Sequence, residues 1–467
     1  MTSLAYLSIS DASALIKSKR LSPVEYAKDL IERIDVIDPH LHAFVSVARE
    51  KALEWAQASA EEIFHNTWRG PLHGIPYALK DIIDYGGMPT TAHSKILAEN
   101  VACEDATVTR RLNAAGGICL GKLSTHEFAI GGPSFDLPWA PARNPWNLAH
   151  HPGGSSSGCG AAVAAGLVPA AIGTDTGGSI RNPASMCGIV GLKPTYGRVS
   201  RKGVVPLSFS LDHVGPMTRS VEDNALLFGV IAGHDSGDPS SSTANGQPDQ
   251  LRAGVKGLRI GYIRHFHEND MEGGDSDMIS ALDSAASQFA ELGAHVRAVT
   301  VSPLSDYAAT HRIIMLAEAY SIHEEWLKTR PGDYGASARR RLLPGAFFSG
   351  ADYVSALRVR ATLVRQFAET MSDLDLVMCV SSMEPAAEIE DELEVTRNYS
   401  RQARMAFDLL GNPAISVPTG FSRHGMPLAM QIVGKPFAEA TVYRGAYAYE
   451  QAIGWGTQHP AFDNLPR

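Results

Sequence analysis

The chain of 467 residues is 44% hydrophobic, 19% charged and 7% aromatic, with 43 Gly, 27 Pro and a formal net charge of -9. This is the composition of an ordinary soluble globular protein with many tight turns. It excludes a fibrous or disordered chain, and with no Lys/Arg cluster interleaved with aromatics it argues against nucleic acid and for a small substrate.

Five scattered cysteines (Cys103, Cys119, Cys159, Cys187 and Cys379) lack CxxC spacing. Neither a disulfide framework nor a zinc site is expected, and the compartment is expected to be reducing. The opening MTSLAYLSISDASALIKSKR has no basic start followed by an apolar run and a cleavage site, and no run of eighteen apolar residues occurs. A cytoplasmic enzyme or binding protein with no membrane partner is therefore expected.

Residues 10 to 64 carry helical periodicity, with Ser22-Pro23 as cap and first turn of the segment SPVEYAKDLIERIDVID. From Pro71 the texture changes to short apolar runs broken by glycine. HGIPYALKDII is followed by a helix at 106 to 115 and by ICLGKL as a buried strand. GAAVAAGL at 160 to 167 reads as a tightly packed helix between two glycine-serine clusters, GGSSSG and GTDTGGSIR, the second leaving the apolar run LVPAAI. After the helix SVEDNALLFGVIAG comes a polar stretch, DSGDPSSSTANGQPDQ. Strand GLRIGYI, helix SDMISALDSAASQFAELG, and strands AHVRAVTV, DLDLVMCVSS, NPAISVPTGF and PLAMQIVG continue the alternation. A parallel or mixed sheet with helices on both faces is predicted. The region from about 300 to 460 offers no substrate-specific pattern.

Several chemistries compete for the glycine-serine clusters. A flexible linker would not be embedded between GLVPAAIG and CGIVGLKP, and a phosphate cradle lacks both GxxxxGK[ST] and a GxGxxG after a strand. GSSSG matches the G-x-S-x-G elbow of an α/β-hydrolase with Ser156 at its centre and His213 as base, but PWNLAHHP cannot supply the strand that elbow needs. His126-Glu127 begins like HExxH without its second histidine, and His150-His151 has no partner at ligand spacing.

A serine nucleophile with a lysine base fits better. Ser179 follows Gly177 and Gly178, whose bare backbone lets amide groups reach a carbonyl oxygen. Lys80 ends the apolar run GIPYAL, where burial would lower its pKa. The plain alternatives are a solvated Lys80 paired with Asp81, and Lys193, in a turn-like context, as a rival amine.

GGSSSG followed by GTDTGGSIRNPASMCGIVGLKPTYGRVS closely resembles the signature of the amidase signature family. HGIPYALKD, SLDHVGPMTRSVEDNA, NPAISVP and PLAMQIVG extend the likeness from about residue 10 to about 455. The resemblance implies one amidase domain over 1–467, with a helical part at about 1–68, a signature core at about 70–225 and a polar excursion at about 233–256. It implies an α/β fold with a large mixed, mostly parallel central sheet covered by helices on both faces. It further implies Ser179 as nucleophile, Ser155 as bridging serine after a cis Gly154-Ser155 peptide, and Lys80 as base.

The N–H groups from Thr176 to Ser179, through Gly177 and Gly178, would bind the oxyanion. Ala129 would line the acyl pocket, with Ser156, Asp175 and Arg181 as supports; Asp175 and Arg181 read equally as a surface ion pair. Cys159, where many members carry serine, is expected to be a packed structural cysteine. The implied activity is hydrolysis of a linear amide, with anilides, aryl esters or carbamates sharing the acyl chemistry, and without metal or cofactor. The alternative is the A subunit of a glutamine-dependent tRNA amidotransferase, with partner subunits and tRNA; a third is a non-catalytic binding subunit. A homodimer stays open.

Overall fold

The computed structural model describes residues 4–462 except 245, 247, 248 and 272. Three of these lie in the polar excursion expected at about 233–256, so that part of the expectation falls outside the described residues. Eleven strands form one sheet: β1 (Phe44–Val47), β2 (Pro76–Lys80), β3 (Ile118–Leu123), β4 (Ala170–Asp175), β5 (Val190–Lys193), β6 (His213–Thr218), β7 (Arg259–Tyr262), β8 (His295–Ala298), β9 (Leu376–Val380), β10 (Ala414–Phe421) and β11 (Pro427–Gly434). Their order across the sheet is β1-β3-β2-β4-β6-β5-β10-β11-β9-β7-β8.

The expected large mixed sheet is present, but parallel pairing does not predominate. It is confined to β3-β2-β4 on one side and β9-β7-β8 on the other. The remaining neighbours are antiparallel. The connections explain this. Parallel neighbours need a long crossover, which the helical segments between β2, β3 and β4 supply, whereas β10 returns to β11 within a few residues and must pair antiparallel.

Strands β2, β3, β4, β6, β9 and β11 are buried along their whole length, which is why they read as continuous apolar runs. Strand β1 is only half-buried and pairs with β3 at the sheet edge, so its four residues gave no comparable signal. Two helix groups cover the sheet. Ser157–Ala164 and Arg181–Cys187 pack against each other and on its central strands. Val221–Ile231, Glu439–Ile453 and Ser276–Glu291 form the second group, with Glu439–Ile453 touching both others.

The helical opening follows its sequence signals. Ser22 caps Pro23–Leu41 by accepting from the Val24 N–H, and Ile9–Lys17 and Arg49–Phe64 complete it. Between β8 and β9 stand two long helices, Leu304–Thr329 and Gly350–Thr370. No described helix is long and apolar enough to cross a membrane.

Candidate active site

Lys80 is the last residue of β2. Parallel register sets Ala78 against Ala171 and Leu79 against Ile172 of β4, so Lys80 stands beside the carboxyl end of β4. Open α/β sheets form binding crevices at such strand ends. The side chain is fully buried, and Nζ lies 2.7 Å from Ser155 Oγ and 2.8 Å from Thr174 Oγ1. Burial pushes its pKa down from 10.5 to about 7, because nothing in this crevice solvates an ammonium as water does.

The solvated alternative does not hold: Asp81 is also buried and faces Lys122, 3.3 Å away. Lys193 is likewise buried and lowered to about 7, but it ends strand β5 rather than sitting in a turn. Its Nζ donates to the Pro194 carbonyl. The turn expectation failed because the Pro194-Thr195 pair marks the end of the strand, one residue beyond Lys193.

The first glycine-serine segment lies between His126 and the helix at Ser157–Ala164. Its Gly154-Ser155 peptide is cis, as the resemblance implies. A side chain at Gly154 would put its Cβ 2.1 Å from the His126 ring, so only glycine lets the ring approach. The Gly154 N–H donates to Asn182 Oδ1 at 2.8 Å, and the His126 N–H donates to the Ser155 carbonyl at 3.0 Å.

Ser156 is no nucleophile elbow. Its hydroxyl donates to the Thr174 carbonyl at 3.2 Å and its N–H donates to the Ser179 carbonyl at 3.1 Å, which ties the two segments together. His213, the base that reading required, lies in β6 with Nδ1 3.2 Å from the Asp175 carbonyl. Cys159 is buried, and burial pushes its thiol up to about 12, far from a reactive thiolate.

The second segment turns around Asp175, the last residue of β4. The carboxylate accepts from the N–H groups of Gly178 (2.5 Å), Ile180 (3.1 Å) and Arg181 (3.2 Å), and pairs with the Arg181 guanidinium at 3.0 Å. Both side chains are fully buried, so the surface ion pair is ruled out. Arg181 reaches on to Asp408 at 2.6 Å and Gln431 at 2.9 Å. Burial alone would raise the Asp175 pKa, but the Arg181 charge outweighs it and holds the carboxyl well below the usual range. Burial and the Asp175 charge push Asp408 up, so Asp175 is the firmly ionised partner.

One expectation needs correcting here. The Gly178 N–H is spent on Asp175 and does not face the cavity as an oxyanion donor, because a fully buried carboxylate gathers the donors nearest to it. The N–H groups of Thr176, Gly177 and Ser179 make no hydrogen bond to another described residue. Gly178 matters for space instead. Its φ is +119°, and a Cβ there would lie 2.6 Å from Arg404 Nε.

Ser155, Ser179, Thr176, Gly177 and Gly178 line a cavity of about 220 Å³. His126, weighed in the sequence only as an incomplete metal motif, lines it too, as do His311, Arg341, Tyr399 and Arg404, none of which the sequence marks as a site residue. Burial lowers His311 to about 4 and His126 well below its ordinary value, so both rings are neutral at pH 7. A second cavity, of about 690 Å³, lies beyond a wall made by Ala129, Thr176 and Leu207, which border both. Phe128 and Ala129 both adopt left-handed φ, near +49° and +61°, which carries the small Ala129 side chain into that wall. Among the described residues no group of three or more His, Cys, Asp or Glu side chains is arranged to hold a metal ion.

A buried amine against one serine, a second serine on a clamped glycine turn and a mixed α/β sheet beneath them define a class by architecture, that of the amidase-signature proteins. The chain belongs to the amidase family, which it matches over residues 25–443. It is 40% identical to the A subunit of the glutamyl-tRNA(Gln) amidotransferase of Geobacter metallireducens, over 97% of this chain and 98% of that one. Among solved structures it is similar to a protein from a complex described as revealing the evolutionary origins of an s-triazine catabolic enzyme. That match has 32% identity and a TM-score of 0.90, covering 96% of this chain and 99% of the other. It is also similar to the peptide amidase of Stenotrophomonas maltophilia, with 30% identity, a TM-score of 0.84, and 98% and 99% of the two chains covered.

Proposed function

We propose that the chain hydrolyses the C–N bond of a carboxylic amide through an acyl-enzyme on Ser179, with Ser155 relaying protons to and from Lys80. The observation that carries this reading is the buried Lys80 amine, lowered to about 7, at 2.7 Å from Ser155 Oγ on the wall of the cavity that Ser179 also lines. Neutral Lys80 takes the Ser155 proton while Ser155 takes that of Ser179. Ser179 Oγ then attacks the carbonyl carbon, and the free N–H groups of Thr176, Gly177 and Ser179 receive the oxyanion. Ser155 returns a proton to the departing nitrogen, the C–N bond breaks, and water activated by the same relay releases the acid. Anilides, aryl esters and carbamates are open to the same steps.

A second reading is that the chain serves as the glutaminase component of a glutamine-dependent tRNA amidotransferase. The 40% identity to such a component over nearly the whole of both chains favours it over a free-standing amidase. A neutral fluorophosphonate applied to the purified chain tests the chemistry, and modification should map to Ser179. Mapping to Ser156, or no modification of a folded chain, defeats the proposal. Ammonia release from glutamine that appears only when partner subunits are added would favour the second reading; turnover of simple amides by the chain alone favours the first.

A further inference from the structure

The cavity around Ser179 holds unneutralised positive charge. Arg341, in the helix Ala336–Leu342, borders it and makes no hydrogen bond or ion pair with another described residue. Its neighbours differ: Arg340 pairs with Glu392, and Arg339 donates to the Pro331 carbonyl at 3.0 Å. The buried Arg404, which lines the same cavity, bonds to Ser381 and Ser382 through Nη1, while its Nε–H has no partner among the described residues. Burial drives both guanidinium groups down, Arg404 to about 9.

No Asp or Glu lines this cavity. The acids around it are all engaged. Asp175 and Asp408 face Arg181, and Glu127 accepts from Ser94 Oγ at 2.5 Å and the Gly335 N–H at 2.9 Å. In the outer groove beside Arg341, Glu390 faces Arg143, Glu392 faces Arg340, and Asp136 accepts from Ser134 Oγ at 2.6 Å and the Ala336 N–H at 2.8 Å. Beyond the Ala129 wall, Asp212 accepts from Thr176, Leu207 and Ser208, and Glu318 from Ser208, Ser210 and Tyr353.

A half-buried guanidinium without a counter-ion is costly to keep, and a bound anion removes that cost. A bound ammonium would meet two cations and no carboxylate. We infer that the substrate is a small amide carrying a carboxylate and no ammonium group, its carboxylate pairing with Arg341. The cavity of about 220 Å³ suits a molecule of metabolite size. The inference rests on the seryl amidohydrolase reading above, and it separates this chain from an enzyme built for a free α-amino acid amide.

Three amides of closely similar size test it: glutaramate, glutaramide and glutamine, which are anionic, neutral and zwitterionic. Glutaramate should exceed both others in kcat/KM by about 10- to 100-fold, the range of a charge-assisted pair. In Arg341→Gln its advantage over glutaramide should collapse through KM rather than kcat, and Arg341→Lys should restore part of it. Protection of Ser179 from the fluorophosphonate, measured beside turnover, should be given by glutaramate far better than by glutaramide and should depend on Arg341. Equal protection by the three amides, a preference for glutamine, or a glutaramate advantage unchanged in Arg341→Gln overturns the inference. Failure of the label to reach Ser179 instead overturns the seryl reading on which it rests.

Discussion

Replacing Lys80 by Met should abolish amide hydrolysis and yet stabilise the fold at neutral pH. The wild-type amine titrates near 10.5 when unfolded and near 7 when buried, so between those values the unfolded chain binds more protons and wild-type stability climbs with pH. At about 1.4 kcal/mol per factor of ten in protonation, the buried amine costs the folded state about 4 kcal/mol near pH 7 and almost nothing above about pH 10.5. Met removes that cost but also removes the contacts to Ser155 and Thr174, worth about 1 kcal/mol each. The variant should therefore be more stable by about 2 kcal/mol near pH 7 and less stable by about the same amount near pH 10.5. Lys193 is lowered in the same way but is present in both proteins, so it drops out of the comparison. Urea unfolding of the two proteins at a series of pH values measures the difference. A Met variant less stable at pH 7, or a gap that does not change sign with pH, would refute the argument from burial.

Activity on a neutral amide should rise as pH passes about 7, because Lys80 must lose its proton before it can act as base; a rate that falls steadily from pH 6 to 9 with the fold intact contradicts the assignment. Ser179→Ala should bring amides and nitrophenyl esters alike to background. Ser155→Ala should raise the ester-to-amide ratio by something within the roughly 10²- to 10⁴-fold span of general acid-base catalysis, since nitrophenolate leaves unprotonated and an amine does not; equal losses on both substrates would reduce Ser155 to a positioning role. Asp175→Asn should destabilise by about 3 to 5 kcal/mol, the cost of stripping a partner from a buried ion pair, and its unfolding midpoint in urea checks this directly.

The side chains of the proposed triad stand out in the sequence because each sits at a discontinuity in the pattern. Lys80 is a charge at the end of an apolar run, and Ser155 and Ser179 stand in glycine clusters between buried segments. Thr174, which shares the Lys80 amine with Ser155, looked like one more strand residue, because its role comes from parallel register with β2 and not from its neighbours in sequence. Arg341, Tyr399 and Arg404 were not legible for a related reason. They come from short helices and loops between about 336 and 405, where nothing local distinguishes a cavity-lining arginine from a surface one; Arg340 and Arg341 are adjacent, and only the packing separates the ion-paired side chain from the unpaired one. The Gly178 amide was misread because a glycine in a turn signals available backbone but not its direction, and a buried Asp175 three residues earlier decides where it points. The parallel character of the sheet was overestimated because alternation of strand and helix was clearest at its flanks.

The bond from Arg181 to Gln431 spans 250 residues, and Asp408 on the same guanidinium is 227 residues away. A ribosome that has just finished the signature segment has therefore made Lys80, Ser155 and Ser179 but not the whole of the proposed site. The local half of the clamp, from Asp175 to Gly178, Ile180 and Arg181, needs nothing beyond the segment itself, but the half that runs from Arg181 to Gln431 closes only when β11 is in the sheet, near the end of synthesis. Until then Arg181 lacks Asp408 and Gln431, so the growing chain carries the proposed nucleophile on a turn that is only half clamped. Activity thus arrives as a property of the completed sheet, and a chain shortened before Gln431 should be inert even though Lys80, Ser155 and Ser179 are all in it.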